Sequence, residues 1–171
     1  MLQIYYGNGK GKTTATVGIA VRAAGAGMNV IFMQFLKDGT SSEISILNKL
    51  ENITVTACKS CDSFLYSMND EQKKTVRSQH DEMLKTACTE LKSGTVDMVI
   101  LDEAIDAYDM GMLCREAVER MIDEYADSAE IIMTGHSLPE FFIEKAGYIT
   151  ETTAVKHPFN DGISARKGIE Y

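Results

Sequence analysis

A glycine-rich segment near the start of the chain most strongly constrains its fold. The residues GNGKGKTT, at positions 7 to 14, directly follow the apolar run Leu2 to Tyr6 and precede an alanine-rich stretch. In a turn between a strand and a helix, glycines let backbone N–H groups point at a phosphate chain, while Lys12 adds a mobile charge and the Thr13 hydroxyl can reach magnesium. A Gly/Lys-rich surface turn is the alternative, but the order of strand, glycines, Lys-Thr and helix favours a phosphate-binding loop. The residues that we expect to bind phosphate are Gly7, Asn8, Gly9, Lys10, Gly11, Lys12, Thr13 and Thr14.

The loop is one residue shorter than the usual phosphate-binding loop. The common spacing is a glycine, four residues, and then Gly-Lys-Ser/Thr. Counting back from Gly11, the first glycine position falls on Tyr6, and the glycine follows one residue later, at Gly7. We therefore expect the loop to hold the phosphate chain differently from that of an ordinary ATPase.

Length and composition indicate one globular domain over residues 1–171. The chain has 44% hydrophobic and 25% charged residues, with no apolar run of membrane-spanning length, so we expect a cytoplasmic protein without a membrane partner. Its net charge of −8 argues against a nucleic-acid partner held mainly by phosphate contacts. Lys10, Lys12 and Lys37 can still form a local positive pocket for a small ligand.

Strand-like and helix-like segments alternate along the chain. This alternation predicts an α/β fold of the three-layer, P-loop NTPase-like (RecA-like) type, a mostly parallel sheet with helices on both faces. The segments predicted as strands are 2–6, 29–35, 53–57, 96–101 and 130–133, and those predicted as helices are 13–26, 41–50, 70–93, 114–125 and one opening at Ser137. Asn69 with Gln72, and Ser137 with Glu140, have the spacing of capping boxes.

Two strands carry polar residues to the predicted ligand edge of the sheet. Asp102 and Glu103 follow the strand 96–101, and carboxyl ends of parallel strands form the ligand site, so these side chains are expected to hold magnesium together with Thr13. An acidic helix N-terminus is the alternative for Asp102 and Glu103. His136 ends the next strand segment and is either a ligand contact or a loop histidine without a task.

The chain contains four cysteines, of which Cys58 and Cys61 form a Cys-x-x-Cys pair. A structural zinc site would need two further ligands, and no second close pair or Cys/His cluster is visible in the sequence. His80 falls on the apolar stripe of a predicted helix, where a packed histidine is expected rather than a ligand. Ordinary reduced thiols are thus the favoured interpretation, with metal binding or a redox pair as alternatives.

Beyond the loop, several segments resemble the P-loop corrinoid adenosyltransferases, the ATP:cob(I)alamin and cob(I)yrinic acid a,c-diamide adenosyltransferases. The short loop matches that family's loop in full, and Leu101-Asp102-Glu103 matches its Leu-Asp-Glu motif. Further similar segments are Arg22 to Gly25, Gln34-Phe35-Leu36-Lys37, Glu43, Lys156 to Phe159, Gly162-Ile163 and Gly168 to Tyr171. The resemblance covers the chain from its first strand to its last residue.

The resemblance implies transfer of the 5′-deoxyadenosyl group of ATP to the Co(I) centre of a corrinoid, with release of triphosphate. It implies Lys12 and Glu103 as catalytic residues, with Thr13, Asp102 and Glu103 as ligands of Mg²⁺. It also implies a corrinoid substrate, an electron donor such as a flavoprotein, and a homodimer. A P-loop ATPase or small-molecule phosphotransferase would use the same residues. A catalytically weak nucleotide-binding or corrinoid-delivery protein is a third alternative, suggested by departures from the family pattern.

Three features differ from the family pattern. Phe64-Leu65-Tyr66 resembles the element that packs under the corrinoid ring, but Tyr66 stands where relatives often carry Trp, and covering the core is the alternative role. His136 stands where relatives commonly carry Arg, so a phosphate contact there is expected to weaken at higher pH. Relatives often have an N-terminal extension, whereas this sequence begins at its first strand, so closure of the ATP site is expected from elsewhere or is poorer.

Overall fold

The fold is a parallel sheet covered by helices on both faces. The computed structural model describes residues 1–61 and 65–171. Its strands are β1 (Leu2–Tyr6), β2 (Val30–Gln34), β3 (Ile53–Ala57), β4 (Met98–Asp102), β5 (Glu130–Gly135) and β6 (Tyr148–Glu151). They pair in the order β3-β2-β4-β5-β1-β6, and every pairing is parallel.

Six α-helices lie within the described ranges. They are α1 (Lys12–Gly25), α2 (Ile44–Leu47), α3 (Asp70–Ser93), α4 (Ala104–Asp109), α5 (Arg115–Tyr125) and α6 (Glu140–Lys145), with short 3₁₀ turns at Leu65–Ser67 and Pro158–Asp161. None of them combines the length and apolar character needed to cross a membrane.

Alternate side chains of the central strands pack into two separate hydrophobic cores, one on each face of the sheet. On one face Phe32 and Ile100 pack with Ala20 and Ala23 of α1. On the other face Met33 and Leu101 belong to a larger core to which helices α3 to α6 contribute. Because both faces are covered, strands β2 and β4 are buried along their whole length, as continuous apolar strands of a parallel sheet should be. The predicted three-layer α/β fold is confirmed.

The carboxyl ends of the strands meet at one edge of the sheet. This edge receives the loop after β1, the turn after β2 that leads to Lys37, and the last residue of β4, Asp102. His136 directly follows β5, and Thr152 directly follows β6. The site residues predicted from distant parts of the sequence therefore share one edge.

Several local predictions need correction. Ser137 and Glu140 form no capping box: α6 has Pro139 at its N-cap without a side-chain cap, and the Ser137 hydroxyl donates instead to Asp109. The helix predicted over 41–50 contracts to α2, and α4 and β6 were not predicted. Strand β6 is exposed throughout, so it lacks the apolar run by which the other strands were found. By contrast, the Asn69–Gln72 capping box is present at the start of α3.

The expectation that no Cys/His cluster exists is also wrong. Ligand atoms of Cys58, Cys61 and His80 lie within 4.8 Å of one another. Cys58 and Cys61 follow β3, whereas His80 comes from the middle of α3, so only the packing of this helix against the end of the sheet brings them together. Sequence spacing carried no signal of that contact.

Candidate active site

The phosphate-binding loop is shaped by a close approach to the segment after β6. A Cβ atom on Gly7 would lie 2.3 Å from the carbonyl oxygen of Thr152, and one on Gly9 would lie 2.8 Å from the Thr152 carbonyl carbon. The Gly9 N–H donates to that same carbonyl at 2.8 Å. Gly11, at the N-cap of α1, has a φ of 110° and would meet nothing with a Cβ, so its backbone conformation is what favours glycine there.

The side chain of Lys12 forms hydrogen bonds with the backbone of its own loop. Its Nζ donates to the carbonyl oxygens of Gly7 at 2.7 Å and Gly9 at 3.1 Å. Burial lowers the pKa of Lys12 below its ordinary value, against the opposing attraction of Asp106 and Glu103. The ammonium group is thus partly desolvated and lies among neutral carbonyls, from which a phosphate could draw it.

Asn8 has a structural role in addition to any ligand contact of its backbone. Its side-chain oxygen accepts a hydrogen bond from the backbone N–H of Ala154 at 3.0 Å. Together with the contacts of Thr152, this bond fixes the loop to the chain that follows β6. The loop is therefore supported by residues distant in sequence as well as by α1.

Asp102 lies at the centre of the polar cluster and is fully buried. One carboxylate oxygen accepts from the Thr13 hydroxyl at 2.9 Å and from the Thr134 hydroxyl at 2.8 Å. The other oxygen forms an ion pair with Lys37 at 2.8 Å. Because a buried carboxylate needs such partners, these contacts explain why an acidic residue can end a core strand.

Lys37 Nζ occupies the point where three oxygen-bearing side chains converge. It lies 3.3 Å from Thr13 Oγ1, 2.8 Å from Asp102 Oδ2 and 3.1 Å from Glu103 Oε1. Burial acts to lower the pKa of Lys37, but Asp102 and Glu103 outweigh it, so the pKa lies above its ordinary value. Burial also raises the pKa of Glu103, against the attraction of Lys37. The three residues predicted to hold a metal thus already surround a cation.

Glu103 is held by an unusual backbone conformation. Its φ of 60° lies in the left-handed region, and its N–H donates to the Thr134 hydroxyl at 2.8 Å. Such strain in a non-glycine residue is often found at functional sites, where the surroundings compensate for it. Thr134 therefore organises both acidic residues, a role that was not predicted from the sequence.

Gln34 and Glu43 form a second layer around Asp102. The buried Gln34 side chain donates to Glu43 Oε1 at 3.1 Å and approaches Asp102 Oδ2 at 3.5 Å. Both bonds use Nε2, and Gln34 Oε1 is a buried atom without a hydrogen-bond partner among the described residues. The sequence resemblance included both residues, but neither was predicted as a site residue.

His136 is oriented by a carboxylate that sequence reasoning missed. Its backbone N–H donates to Asp106 Oδ1 at 2.9 Å, and its ring Nδ1 lies 2.9 Å from Asp106 Oδ2. Asp106 comes from α4 and is nearly buried, whereas the His136 side chain is largely exposed. Because Asp106 holds the ring through Nδ1, Nε2 is the nitrogen that could contact a ligand.

A cleft of about 350 Å³ opens above the loop. The cleft is lined by loop and strand-end residues, namely Lys10, Lys12, Thr13, Thr14, Lys37, Glu103 and His136. The C-terminal segment also contributes to the lining, through Ile169 and Glu170. This segment is tied back to the body of the protein where Ser42 Oγ donates to the Tyr171 carbonyl at 3.0 Å.

Of the two predicted corrinoid-side residues, only Tyr66 is described by the structure, and it is not among the described residues that line this cleft. Tyr66 lies in the turn Leu65–Ser67 and is 84% exposed. Phe64 lies outside the described residues. The two predicted sites thus differ: the phosphate-side residues converge, whereas the aromatic pair stays a sequence-based prediction.

The sheet, the loop and the acidic strand end define the class of protein. Over 99% of its length the chain is similar in structure to EssC (ATPases 2 and 3) from Geobacillus thermodenitrificans, with a TM-score of 0.52 and 12% identity. The chain covers 36% of that longer protein, so the likeness concerns the fold alone. Fold and loop together define a P-loop NTPase-like protein.

Sequence comparison then identifies the family. The chain belongs to the family described as ATP:corrinoid adenosyltransferase BtuR/CobO/CobP, which matches residues 1–171. It is 30% identical over 171 residues to a corrinoid adenosyltransferase of Pseudomonas aeruginosa, covering 100% of this chain and 83% of the relative. It is 33% identical over 168 residues to a corrinoid adenosyltransferase of Escherichia coli K12, covering 98% and 84%. The resemblance inferred from the motifs is confirmed.

Proposed function

We propose that this protein transfers the 5′-deoxyadenosyl group of ATP to the Co(I) centre of a corrinoid and releases triphosphate. The observation that carries the proposal is the family match over residues 1–171. The geometry agrees with it, because the loop and the cluster of cationic side chains form one cleft suited to a long, highly charged leaving group. ATP and the corrinoid are the two substrates.

The loop residues act on the leaving group. Inline attack at C5′ of ATP expels triphosphate, so the barrier falls when positive charge and N–H donors meet the developing negative charge. Lys12 exchanges its bonds to the Gly7 and Gly9 carbonyls for phosphate oxygens, and the N-terminus of α1 adds backbone donors. Lys10 and Lys37 extend the positive lining of the cleft.

Thr13, Asp102 and Glu103 would hold a magnesium ion. Hydroxyl and carboxylate oxygens are the donors that Mg²⁺ prefers, and here they converge on the ammonium of Lys37, so the residues fit a hard cation. Such an ion, when bound, neutralises charge on the triphosphate. Glu103 would then act in catalysis by holding the ion that neutralises the departing triphosphate.

A general base is not required. Co(I) is itself the nucleophile, so no proton has to be removed from it. As ligands of the magnesium ion, Asp102 and Glu103 would be committed to the leaving group, which disfavours activation of water and wasteful hydrolysis of ATP. His136 contributes a phosphate contact that is strongest when its ring is protonated.

The remaining parts of the proposal concern the corrinoid, its reduction and the assembly of the protein. Phe64 and Tyr66 form an apolar wall beneath the corrinoid ring and disfavour a water ligand on cobalt. An electron donor such as a flavoprotein supplies the Co(I) state, and the protein works as a homodimer in the cytoplasm. These assignments rest on the family pattern in the sequence.

One assay tests the reaction. The protein is incubated with Mg-ATP and chemically reduced cob(I)alamin without oxygen, and the light-sensitive cobalt–carbon chromophore and the phosphate product are followed. We expect alkylated corrinoid and triphosphate in equal amounts. ADP and phosphate with unchanged corrinoid would instead identify an ATPase or phosphotransferase, and tight binding of both substrates without turnover would identify a binding protein.

Substitution of Lys12 provides the matched test of the loop. Lys12→Ala should lower turnover by roughly 100-fold or more, the usual cost of losing one donor to a developing charge. Lys92→Ala removes the same charge from an exposed position at the end of α3 and should leave turnover unchanged. Equal turnover in the two variants would contradict the role given to Lys12.

A further inference from the structure

A cluster of two thiols and one imidazole lies beside the phosphate-side cleft. Cys58 and His80 are completely buried, and Cys61 is 8% exposed. Cys58 directly follows β3, whose last residue pairs with Gln34 of β2, and the N–H of Cys58 reaches toward the Gln34 carbonyl at 3.3 Å. The cluster therefore lies at the same edge of the sheet as the proposed active site, one strand outward from Lys37.

The hydrogen bonds of His80 fix its tautomer. Nδ1 lies 2.9 Å from the Met112 carbonyl, which can only accept, so Nδ1 carries the ring proton. Nε2 lies 3.3 Å from the backbone N–H of Leu36, so it presents a lone pair. A neutral imidazole held through one nitrogen by a backbone carbonyl is the arrangement by which proteins orient histidine ligands of metals.

The distance from His80 Nε2 to the sulfur of Cys61 equals the distance between two ligand atoms of a zinc site. Cys61 Sγ lies 3.6 Å from His80 Nε2. A tetrahedral zinc ion with Zn–S of about 2.3 Å and Zn–N of about 2.0 Å separates the two donors by about 3.6 Å. All three donor atoms lie within 4.8 Å of one another, so shifts of about 1 Å would bring Cys58 into the same coordination sphere.

The Cys58 thiol has one further partner. Cys58 Sγ lies 3.4 Å from Gln79 Oε1, which also accepts a hydrogen bond from the backbone N–H of Ser60 at 3.1 Å. Gln79 therefore holds the Cys58 side chain beside the cluster, and metal binding would exchange this weak thiol hydrogen bond for a bond between sulfur and the ion.

We infer that Cys58, Cys61 and His80 form a binding site for a zinc ion, distinct from the hard-cation site at Thr13, Asp102 and Glu103. Two thiolates and one imidazole are a donor set that selects Zn²⁺ over Mg²⁺, and the described residues supply three of the four ligands of a tetrahedral site. Binding takes the lone pair of His80 Nε2, releases the thiol protons of Cys58 and Cys61 to solvent, and ends the hydrogen bond from the N–H of Leu36 to Nε2. No electron is transferred.

The ion would join three elements that also position Lys37. Cys58 and Cys61 follow β3, His80 lies on α3, and Leu36 belongs to the turn after β2. Leu36 has a φ of 56°, and its neighbour Phe35 packs its ring edge-on to His80 with centroids 5.1 Å apart. Zinc would therefore brace the strained turn that carries Lys37 into the proposed active site.

Cobalt(II) spectroscopy tests the site with variants that keep the buried residues intact. The metal-free, reduced full chain carrying Cys88→Ser and Cys114→Ser retains Cys58 and Cys61 as its only cysteines. Titration with Co²⁺ in excess Mg²⁺, without corrinoid, should give thiolate-to-cobalt charge transfer and tetrahedral visible bands that saturate at one Co²⁺ per chain. Zn²⁺ should abolish these bands, whereas further Mg²⁺ should not.

Two further variants assign the ligands. Cys58→Ser with Cys61→Ser should remove the charge-transfer band, and His80→Gln should weaken Co²⁺ binding at least tenfold, with circular dichroism to verify folding. Absence of the band in the Cys88→Ser, Cys114→Ser chain would overturn the inference, whether or not the other variants fold. A Cys58–Cys61 disulfide that forms in air, with no Co²⁺ bound after reduction, would overturn it in favour of a redox pair.

Discussion

At the scale of single residues, Lys37 occupies the place proposed for a magnesium ion. Its ammonium contacts the three side chains that sequence analysis assigned to magnesium, and it compensates two carboxylates, one of which is fully buried. Desolvated carboxylates without a cation are costly, and the Lys37 ammonium offsets that cost. We therefore expect the proposed metal ion and the Lys37 ammonium to compete for the same oxygens.

Lys37→Met separates the two effects. In a chelator the variant should lose roughly 2 kcal/mol of unfolding free energy, a value discounted for the partial exposure of Lys37 and Glu103. Mg²⁺ should bind it about tenfold more tightly, because the competing ammonium is gone. Thermal unfolding with and without Mg²⁺ measures both, with Lys74→Met on the exposed side of α3 as control. An unchanged Mg²⁺ response would contradict the competition.

Glu103 gives the same site a dependence on pH. Burial raises its pKa, so in the folded protein Glu103 holds its proton to a higher pH than an exposed glutamate does. Since a metal requires the ionised form, stabilisation by Mg²⁺ should be complete above that raised pKa and be lost as pH falls through it. The Mg²⁺-induced rise in Tm, measured against pH, should lose this step in Glu103→Gln. A step that persists in the variant would assign the effect to another group.

At the scale of elements, the loop depends on a strand that sequence analysis did not find. β6 pairs with β1 at the end of the sheet, and the residue after it, Thr152, packs against Gly7 and Gly9. Gly7 and Gly9, which the motif predicts to bind phosphate, are therefore also required as glycines by their close packing against Thr152. The short loop and the strand β6 form one unit.

Gly9→Ala tests this packing against a matched glycine. Its Cβ would lie 2.8 Å from backbone carbon, so we expect a loss of about 1–3 kcal/mol in unfolding free energy, typical of overpacking. Gly18→Ala in the middle of α1 meets nothing within 4 Å and should stabilise the protein by about 0.5–1 kcal/mol. Denaturant titration compares the two; equal effects would show that the Thr152 contact can adjust.

At the scale of the whole molecule, sequence patterns predicted what depends on periodicity and motif. Buried strands such as β4 and the loop before α1 carry local signals, so the three-layer fold and the position of Asp102 followed from them. The exposed strand β6 has no apolar period, and the contact of Asp106 with His136 joins separate elements. The cluster at His80 likewise arises from tertiary packing, which a single sequence does not encode in its spacing.

The C-terminal segment contributes to the lining of the cleft, so its removal tests whether it takes part in binding ATP. Removal of residues 165–171 takes away Ile169 and Glu170, which face the loop, and the link from Tyr171 to Ser42. We expect the KM for ATP to rise at least several-fold while Tm changes little, because the buried cores contain no residue of this segment. A large fall in Tm would mean that the segment supports the fold itself.

The ammonium of Lys37 also determines whether the proposed metal and nucleotide bind independently of each other. A metal ion that arrives alone must expel this ammonium from its two carboxylates and leave it without a counter-ion. Lys37 also lines the cleft proposed for the nucleotide. A bound nucleotide would therefore offer the ammonium phosphate oxygens in place of the two carboxylates. The two ligands should therefore bind with positive cooperativity, each lowering the dissociation constant of the other by the same factor. We expect the lysine to favour binding of the metal–nucleotide complex over binding of either ligand alone.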